Sequence, residues 1–252
     1  MSSPIFIKQC ARLADPLLFI FNLSLSTGIF PTRWKPSYVI PIFKTGSRNN
    51  IEHYRDIAVL SALSKLFESL VTSYLTSQLS SVISTNQHGF MKGRSSSTNL
   101  IEFVNFSVGK IKKYTQVDAV YIDIRKAFDS LCHLILLMKL RQIGVQSHLL
   151  SWIESYLSDR KQFVRMSSLV SKPINVTSGV PQGSHLGPLL FILFVNDIPD
   201  NLRFSNCLMD ADDLKIYLDV QSSLKSLNLQ CDLDTLALWY QQKSLKSLLE
   251  HK

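Results

Sequence analysis

The segment 207–218 places three acids, Asp210, Asp212 and Asp213, in a short turn between two apolar, strand-like runs. Carboxylates about 4 Å apart repel by roughly 4 kcal/mol at an effective dielectric near 20, so a turn of this kind calls for a cation. Hard dications such as Mg²⁺ are the natural partners of carboxylate oxygens. The same residues also suit a solvated turn, because Asp is a common turn former. A further acid, Asp123, stands at the carboxyl end of an apolar strand predicted over 117–124, where Lys126-Ala127-Phe128-Asp129 turns toward a helix. There it can face a crevice while the strand itself stays buried.

Cations and glycines supply the other candidate positions. Lys44 and Arg55 flank a strand-loop segment and can close over a phosphate, Arg as a bidentate fork and Lys as a point charge. Solvated surface cations are the alternative reading of both. The loop 87–95 carries Gly89, Gly93 and Arg94, so its backbone can approach a nucleic-acid strand closely. In 178–184, Gly179, Pro181, Gln182 and Gly183 form a flexible loop whose small residues let a flat ligand come near the backbone.

The elements that must position these residues follow from hydrophobic period and breakers. A helix is predicted over 8–26, stopped near Gly28 and Pro31. Pro36 and Pro41 exclude a helix in 34–44 and leave a short strand there. A strongly periodic helix follows over 61–79, with Leu63, Leu66, Phe67, Leu70, Val71, Tyr74 and Leu75 on one face. Further helices are predicted over 97–111, 131–142, 147–158, 186–195 and 221–241, and a basic hairpin over 162–166 and 174–176. Such a hairpin is ordinary soluble surface, or holds backbone phosphates where it borders a polymer groove.

Composition sets the bounds. A chain of 252 residues, 46% apolar, can bury a real core in one large domain or two lobes. The formal charge of +8 with clustered acids describes a basic body around a small acidic centre, which suits a polyanionic ligand. The four cysteines are far apart, without zinc-ligand or disulfide-framework spacing, so an intracellular, reduced protein is expected. The longest apolar runs, 16–25 and 186–195, are too short to span a bilayer, and no membrane association is expected.

Five stretches in fixed order resemble the reverse transcriptase of non-LTR (LINE-type) retrotransposons, the jockey-like branch above all. They are 54–57 with 61–68, 87–90 with 93–95, 123–129, 178–190 and 210–213. The resemblance covers about 34–239. It implies an α+β fold, the fingers and palm of a right-hand polymerase, with an antiparallel palm sheet packed on helices and the thumb missing. The implied divisions are an N-terminal helical extension at 1–35, fingers at 36–112, and a palm at 113–252 with a fingers-side insertion at about 130–175. On this reading the element is truncated before the thumb and has no preceding endonuclease.

The resemblance also implies an activity, RNA-directed DNA polymerisation. Asp123 and Asp212 would bind two Mg²⁺ ions, with Mn²⁺ a possible substitute, and Asp213 is the third catalytic acid. Lys44, Arg55, Phe128, Gln182 and Gly183 would meet the incoming dNTP, Phe128 as the bulky residue that excludes a ribose 2′-hydroxyl. Arg94 and Asp210 would border an RNA template and a DNA primer. Phe128 as core and Gln182 as a self-satisfying loop amide are the alternatives. The chain departs from the family pattern at three places: Asp210 replaces the aromatic residue before Ala-Asp-Asp, Asp56 stands where Pro is usual, and Lys243 replaces Asn in the Trp239 motif. The added carboxylate of Asp210 raises local repulsion, so a catalytically decayed relic that only binds nucleic acid is the second functional class.

Overall fold

The computed structural model describes residues 13–243 and 246–250. In chain order the elements are α1 (Ala14–Thr27), β1 (Ser37–Phe43), β2 (Tyr54–Val59), α2 (Ala62–Leu79), α3 (Ser96–Ile111), β3 (Gln116–Arg125) and the short α4 (Ala127–Ser130). Then come α5 (His133–Gln142), α6 (Ser147–Leu157), β4 (Arg160–Met166), β5 (Leu169–Val170), β6 (Ile174–Val176) and α7 (Leu186–Val195). The last four are β7 (Asn206–Asp210), β8 (Asp213–Val220), α8 (Ser223–Gln242) and β9 (Lys246–Glu250). The helix predicted over 8–26 is described from Ala14, its residues 8–12 lying outside the described residues. Residues 244 and 245 of the tail motif also lie outside them. No helix among the described residues is long and apolar enough to cross a membrane. Cys132, Cys207 and Cys231 are free thiols.

The described residues form two compact units, one from 13–78 and 133–187, the other from 79–132 and from 188 onward. In the first unit, β1 pairs antiparallel with β2 and parallel with β4, and β4 pairs with β5 and β6. Aromatic packing fills its core: Phe67 stacks on Phe21 at 4.2 Å and meets Trp152 edge-on at 5.0 Å, while Phe30 sits against Trp152 and Tyr156. Offset and edge-to-face pairs of this kind add about 0.5–1.5 kcal/mol each beyond their buried area.

Two features of this unit depart from the sequence reading. Residues 54–59 form a full strand, β2, closed on β1 by pairs from Tyr38 with Val59 to Phe43 with Tyr54, although Arg55 and Asp56 break its apolar pattern. The buried line of α2 runs through Ser64, Phe67, Glu68, Val71, Leu75 and Leu79, while Leu70 and Tyr74, expected inward, are half exposed. Two polar residues take the inner line, and the apolar pair is rotated off it.

The second unit is a four-stranded antiparallel sheet in the order β7-β8-β3-β9. Successive side chains of a strand point to opposite faces. One face carries Ile122, Ile124, Leu214 and Ile216, all buried. On the other, Lys215 and Tyr217 pack under Phe103 and Phe106 of α3. Residues 79–111 count with this unit for two reasons: α3 packs on β3 and β7, and the loop before it pairs with β7, where Met209 N donates to Asn86 O and His88 N donates to Met209 O, both at 2.8 Å. β9, absent from the sequence reading, pairs with β3 from Tyr121 with Glu250 to Arg125 with Lys246.

Helix α8 is tied to this unit by a buried acid. Asp232, 1% exposed, accepts the backbone N–H groups of Arg203, Phe204 and Ser205 at 2.9, 3.0 and 2.7 Å. Hydrogen bonds to a charged group contribute about 1.5–3 kcal/mol each, and three orphaned backbone donors would be left behind. Asp232→Ala is therefore expected to cost about 3 kcal/mol in denaturant unfolding, with the melting temperature falling by roughly 6–12 °C. A loss below about 0.5 kcal/mol, the size of an ordinary surface change, would contradict this account.

Candidate functional site

The register of the second sheet places the acids. Asp123 on β3 is opposite Asp213 on β8, and Asp213 is opposite Asp210 on β7. Paired residues of an antiparallel ladder share a face, so three carboxylates project from a single rung. Asp212 lies beside them in the two-residue turn that joins β7 to β8. The two acids that the resemblance assigns to metal, Asp123 and Asp212, thus come from neighbouring positions of one sheet, and the direct partner of Asp123 in register is Asp213.

The turn is held in a strained form. Ala211 has φ of 58°, a left-handed conformation that costs an L-residue about 1–2 kcal/mol. Its N–H donates at 3.1 Å to Oε1 of Gln87, which also accepts Gly89 N at 2.8 Å. Gln87 is 1% exposed and belongs to the loop paired with β7. Asn99 of α3 adds a third tie, its Nδ2 donating to Met209 O at 3.2 Å. A Cβ on Gly89 would lie 2.3 Å from Ala211 N and 2.8 Å from Oδ1 of Asp210, so only glycine lets the loop come this close.

Beside the rung lies a cleft of about 500 Å³, lined by Asp123, Asp210, Asp213, Tyr121, Asn99 and Lys215 among others. Lys215 shares the face of the acids, one rung along, opposite Tyr121 and Leu208. Its ammonium is 4.5 Å from the Phe103 ring centre and 5.3 Å from that of Tyr121, and reaches Asn99 Oδ1 at 3.4 Å. Burial among these groups pulls its pKa below the usual lysine range. Gln87, Asn99 and Lys215 were not picked out from sequence. A lone lysine among Leu214, Ile216 and Tyr217 in a strand was the available signal for the last of them.

The remaining positions of this unit have defined packing. Phe128 stacks on Phe191 at 4.9 Å and meets the exposed Phe90 edge-on at 6.5 Å. Arg94 turns back on its own loop, its Nη1 donating to the carbonyls of Thr85 at 2.8 Å and Gln87 at 2.6 Å. That contact makes Arg94 a brace for the loop that clamps the turn.

Lys44, Arg55, Gln182 and Gly183 belong to the first unit. Arg55 pairs with Ile42, two residues before Lys44, so both cations sit at the turn end of the β1–β2 hairpin, and both are exposed. On the same strand, Ala58 N donates to Gln182 O at 2.7 Å, and a Cβ on Gly183 would come within 2.7 Å of Ala58 O. Gly183 also has φ of 123°, which side chains rarely adopt. The Pro181-Gln182-Gly183 loop thus runs along β2, three residues from Arg55.

A magnesium site can be tested on the donor set. All candidate ligands are carboxylate oxygens, the class that Mg²⁺ prefers. Among the described residues no group of three or more His, Cys, Asp or Glu is placed so as to hold a metal ion by itself. Mg²⁺ ordinarily takes one or two carboxylates and fills its octahedron with water and substrate phosphate oxygens, so this open arrangement fits it.

Three comparisons bear on the chain. The family model for reverse transcriptase (RNA-dependent DNA polymerase) matches residues 42–248. The probable RNA-directed DNA polymerase from transposon BS of Drosophila melanogaster is 33% identical over 241 residues, covering 91% of this chain and 26% of that protein. The RNA-directed DNA polymerase from mobile element jockey of the same species is 30% identical over 203 residues, covering 79% and 22%. The chain spans about a quarter of the length of these relatives. Among solved structures, telomerase from Candida albicans, in complex with the TWJ fragment of telomeric RNA, aligns with a TM-score of 0.61 at 12% identity, covering 93% of this chain and 47% of that one. Telomerase from Candida tropicalis aligns at 0.59, also with 12% identity, covering 87% of this chain and 51% of that one. These structural likenesses bear on the fold: mixed helices and sheets of the reverse transcriptase and telomerase kind.

The clamp on the acidic turn yields a measurable expectation. Gly89→Ala forces the loop away from Ala211 and is expected to cost about 1–3 kcal/mol, the range for overpacking. In hydrogen exchange the amides of His88, Met209 and Ala211 should lose protection selectively. Unchanged exchange at those three amides would show that the loop does not hold the turn.

Proposed function

The chain belongs to the reverse transcriptase (RNA-dependent DNA polymerase) family, and from that premise we propose that it extends a DNA primer with dNTPs on an RNA template. The observation that carries the proposal is the rung Asp123, Asp213 and Asp210 with Asp212 at its turn. In this reading the sheet of the second unit is the palm and the β1–β2 hairpin with its supporting helices is the fingers. Residues 79–112, expected in the fingers, share the compact unit of that sheet.

Asp123 and Asp212 would hold two Mg²⁺ ions, for which Mn²⁺ could substitute, with Asp213 the third catalytic acid of the same rung. When bound, the ions would lower the pKa of the primer 3′-hydroxyl and neutralise charge on the triphosphate. The protein contributes position. Lys44 and Arg55 receive phosphate oxygens, Arg55 through a two-pronged contact and Lys44 as a point charge. Gln182 and Gly183 lie against the nucleotide, with the missing side chain of Gly183 leaving the backbone approachable. Phe128, fixed by Phe191, presents the bulk that refuses a 2′-hydroxyl. Asp210 borders the primer terminus, while Arg94 acts on the template side through the loop it braces.

A second reading is favoured by one observation. Asp210 adds a third carboxylate to the rung, where the family pattern has an aromatic residue. Like charges directly opposite are destabilising in a ladder, and the extra charge also meets the primer phosphate. In this reading the chain binds nucleic acid without extending it.

Primer extension on an RNA template separates the two. The expected result is a product that requires Mg²⁺ or Mn²⁺, disappears on chelation, and falls to background in Asp123→Ala and Asp212→Ala. Template binding retained with no metal-dependent product would sink the polymerase reading in favour of the second. Asp210→Tyr is expected to raise extension roughly tenfold, equivalent to about 1.4 kcal/mol of relieved repulsion at the transition state. Equal or lower turnover in that variant would clear Asp210 of the penalty assigned to it.

A further inference from the structure

Glu68 is a charged residue in a position that solubility does not explain. It lies on the inner line of α2 and is 0% exposed. Both of its oxygens are engaged: Oε1 accepts from Ser64 Oγ at 2.7 Å, and Oε2 accepts from His185 N at 3.0 Å. Burial pushes its carboxyl up from the usual range, while the Ser64 bond, the charge of Arg160 and the backbone N–H groups of His185 and Leu186 draw it back. Arg160 is itself buried, its guanidinium 4.8 Å over the Tyr156 ring and its Nη1 bonded to Tyr156 O at 3.0 Å.

The backbone donors that Glu68 satisfies identify what it holds. His185 immediately precedes α7, and Leu186 is its first residue. The first N–H groups of a helix lack intrahelical acceptors, and a carboxylate there is doubly favoured, by hydrogen bonding and by the helix dipole. Ser184 completes the start: its Oγ accepts Gly187 N at 2.9 Å, and its N–H donates to Pro181 O at 3.0 Å. The segment 181–184 is therefore fixed at both ends, to β2 through Ala58 and to the start of α7, which Glu68 secures from α2.

We infer that Glu68 is a positioning residue for nucleotide selection: it sets the first turn of α7 and, through that turn, the placement of Gln182 and Gly183, without touching nucleotide itself. The inference rests on the reading of Gln182 and Gly183 as nucleotide contacts. Glu68 holds this helix start by accepting His185 N, so Gln keeps a carbonyl acceptor for that N–H while its amide NH₂ turns to the Ser64 hydroxyl as donor, and a truncation removes both contacts.

The test compares Glu68→Ala, Glu68→Gln and Gln182→Ala. Each is assembled on an RNA template with a chain-terminated DNA primer, and dNTP binding is followed by fluorescence anisotropy, so that no turnover is required. Template affinity and melting temperature are recorded in parallel. Glu68→Ala is expected to weaken dNTP binding about tenfold while template affinity shifts less than about twofold, and Glu68→Gln to recover most of the loss. A general loss of packing would move template and dNTP affinity together, and that outcome overturns the inference. So does Glu68→Gln with full dNTP affinity beside a folded Glu68→Ala with the same affinity. If Gln182→Ala leaves dNTP affinity unchanged, the nucleotide reading of the loop fails first. A wild-type chain that forms no dNTP-dependent complex overturns both.

Discussion

Like charges placed side by side on one rung of a sheet are the constraint around which the second unit is built. Asp123, Asp213 and Asp210 occupy paired positions on three neighbouring strands. At ladder spacing each pair repels by roughly 3–4 kcal/mol at an effective dielectric near 20. Without restraint, the two-residue turn would relieve that repulsion by opening. The restraint comes from a separate loop: Gln87 and Gly89 grip Ala211, Asn99 holds Met209, and Arg94 ties the loop to itself. Most of these bonds end on backbone atoms, so they fix the frame from which the carboxylates project. Lys215 supplies a compensating charge on the same face, kept in place by aromatic rings.

The first unit shows the opposite arrangement, a carboxyl whose burial is offset by its partners. Glu68 gives up solvent and receives a hydroxyl, backbone N–H donors and a neighbouring guanidinium. Such arrangements contribute little net stability compared with an apolar core. What they add is uniqueness of placement, since a helix start held by a carboxylate has one satisfied position and not a range of them.

Much of this was legible in the sequence, for stated physical reasons. Most of the helices followed from 3.6-residue periodicity and breakers, and the acidic hairpin from three Asp between apolar runs. Asp123 at a strand end was readable because a charge is costly to bury and so marks the point where an apolar run meets an open crevice. The strand 54–59 was missed because Arg55 and Asp56 interrupt its pattern; β1 pairs with it regardless, and tertiary pairing overrides local preference. The exact partner of Asp123 depended on register, which a one-residue difference in the turn decides. Gln87, Asn99 and Glu68 were unreadable in their roles because each acts on backbone far away in the chain. The inner face of α2 was misassigned at Leu70 and Tyr74 because apolar residues were counted inward before Ser64 and Glu68.

The position of β3 within its sheet has a consequence for the birth of the protein on the ribosome. Its neighbours β8 and β9 both come later in the sequence, and β8 must in turn be capped by a turn gripped from 124 residues upstream. A nascent chain emerging in order displays β3 with both long edges bare for the whole interval in which residues 126–212 are translated. Exposed edges of apolar strands recruit other strands, so this interval is the point at which misassembly competes with folding. Translation speed and chaperone occupancy over that stretch should therefore govern the yield of soluble protein more strongly than the stability of the finished fold.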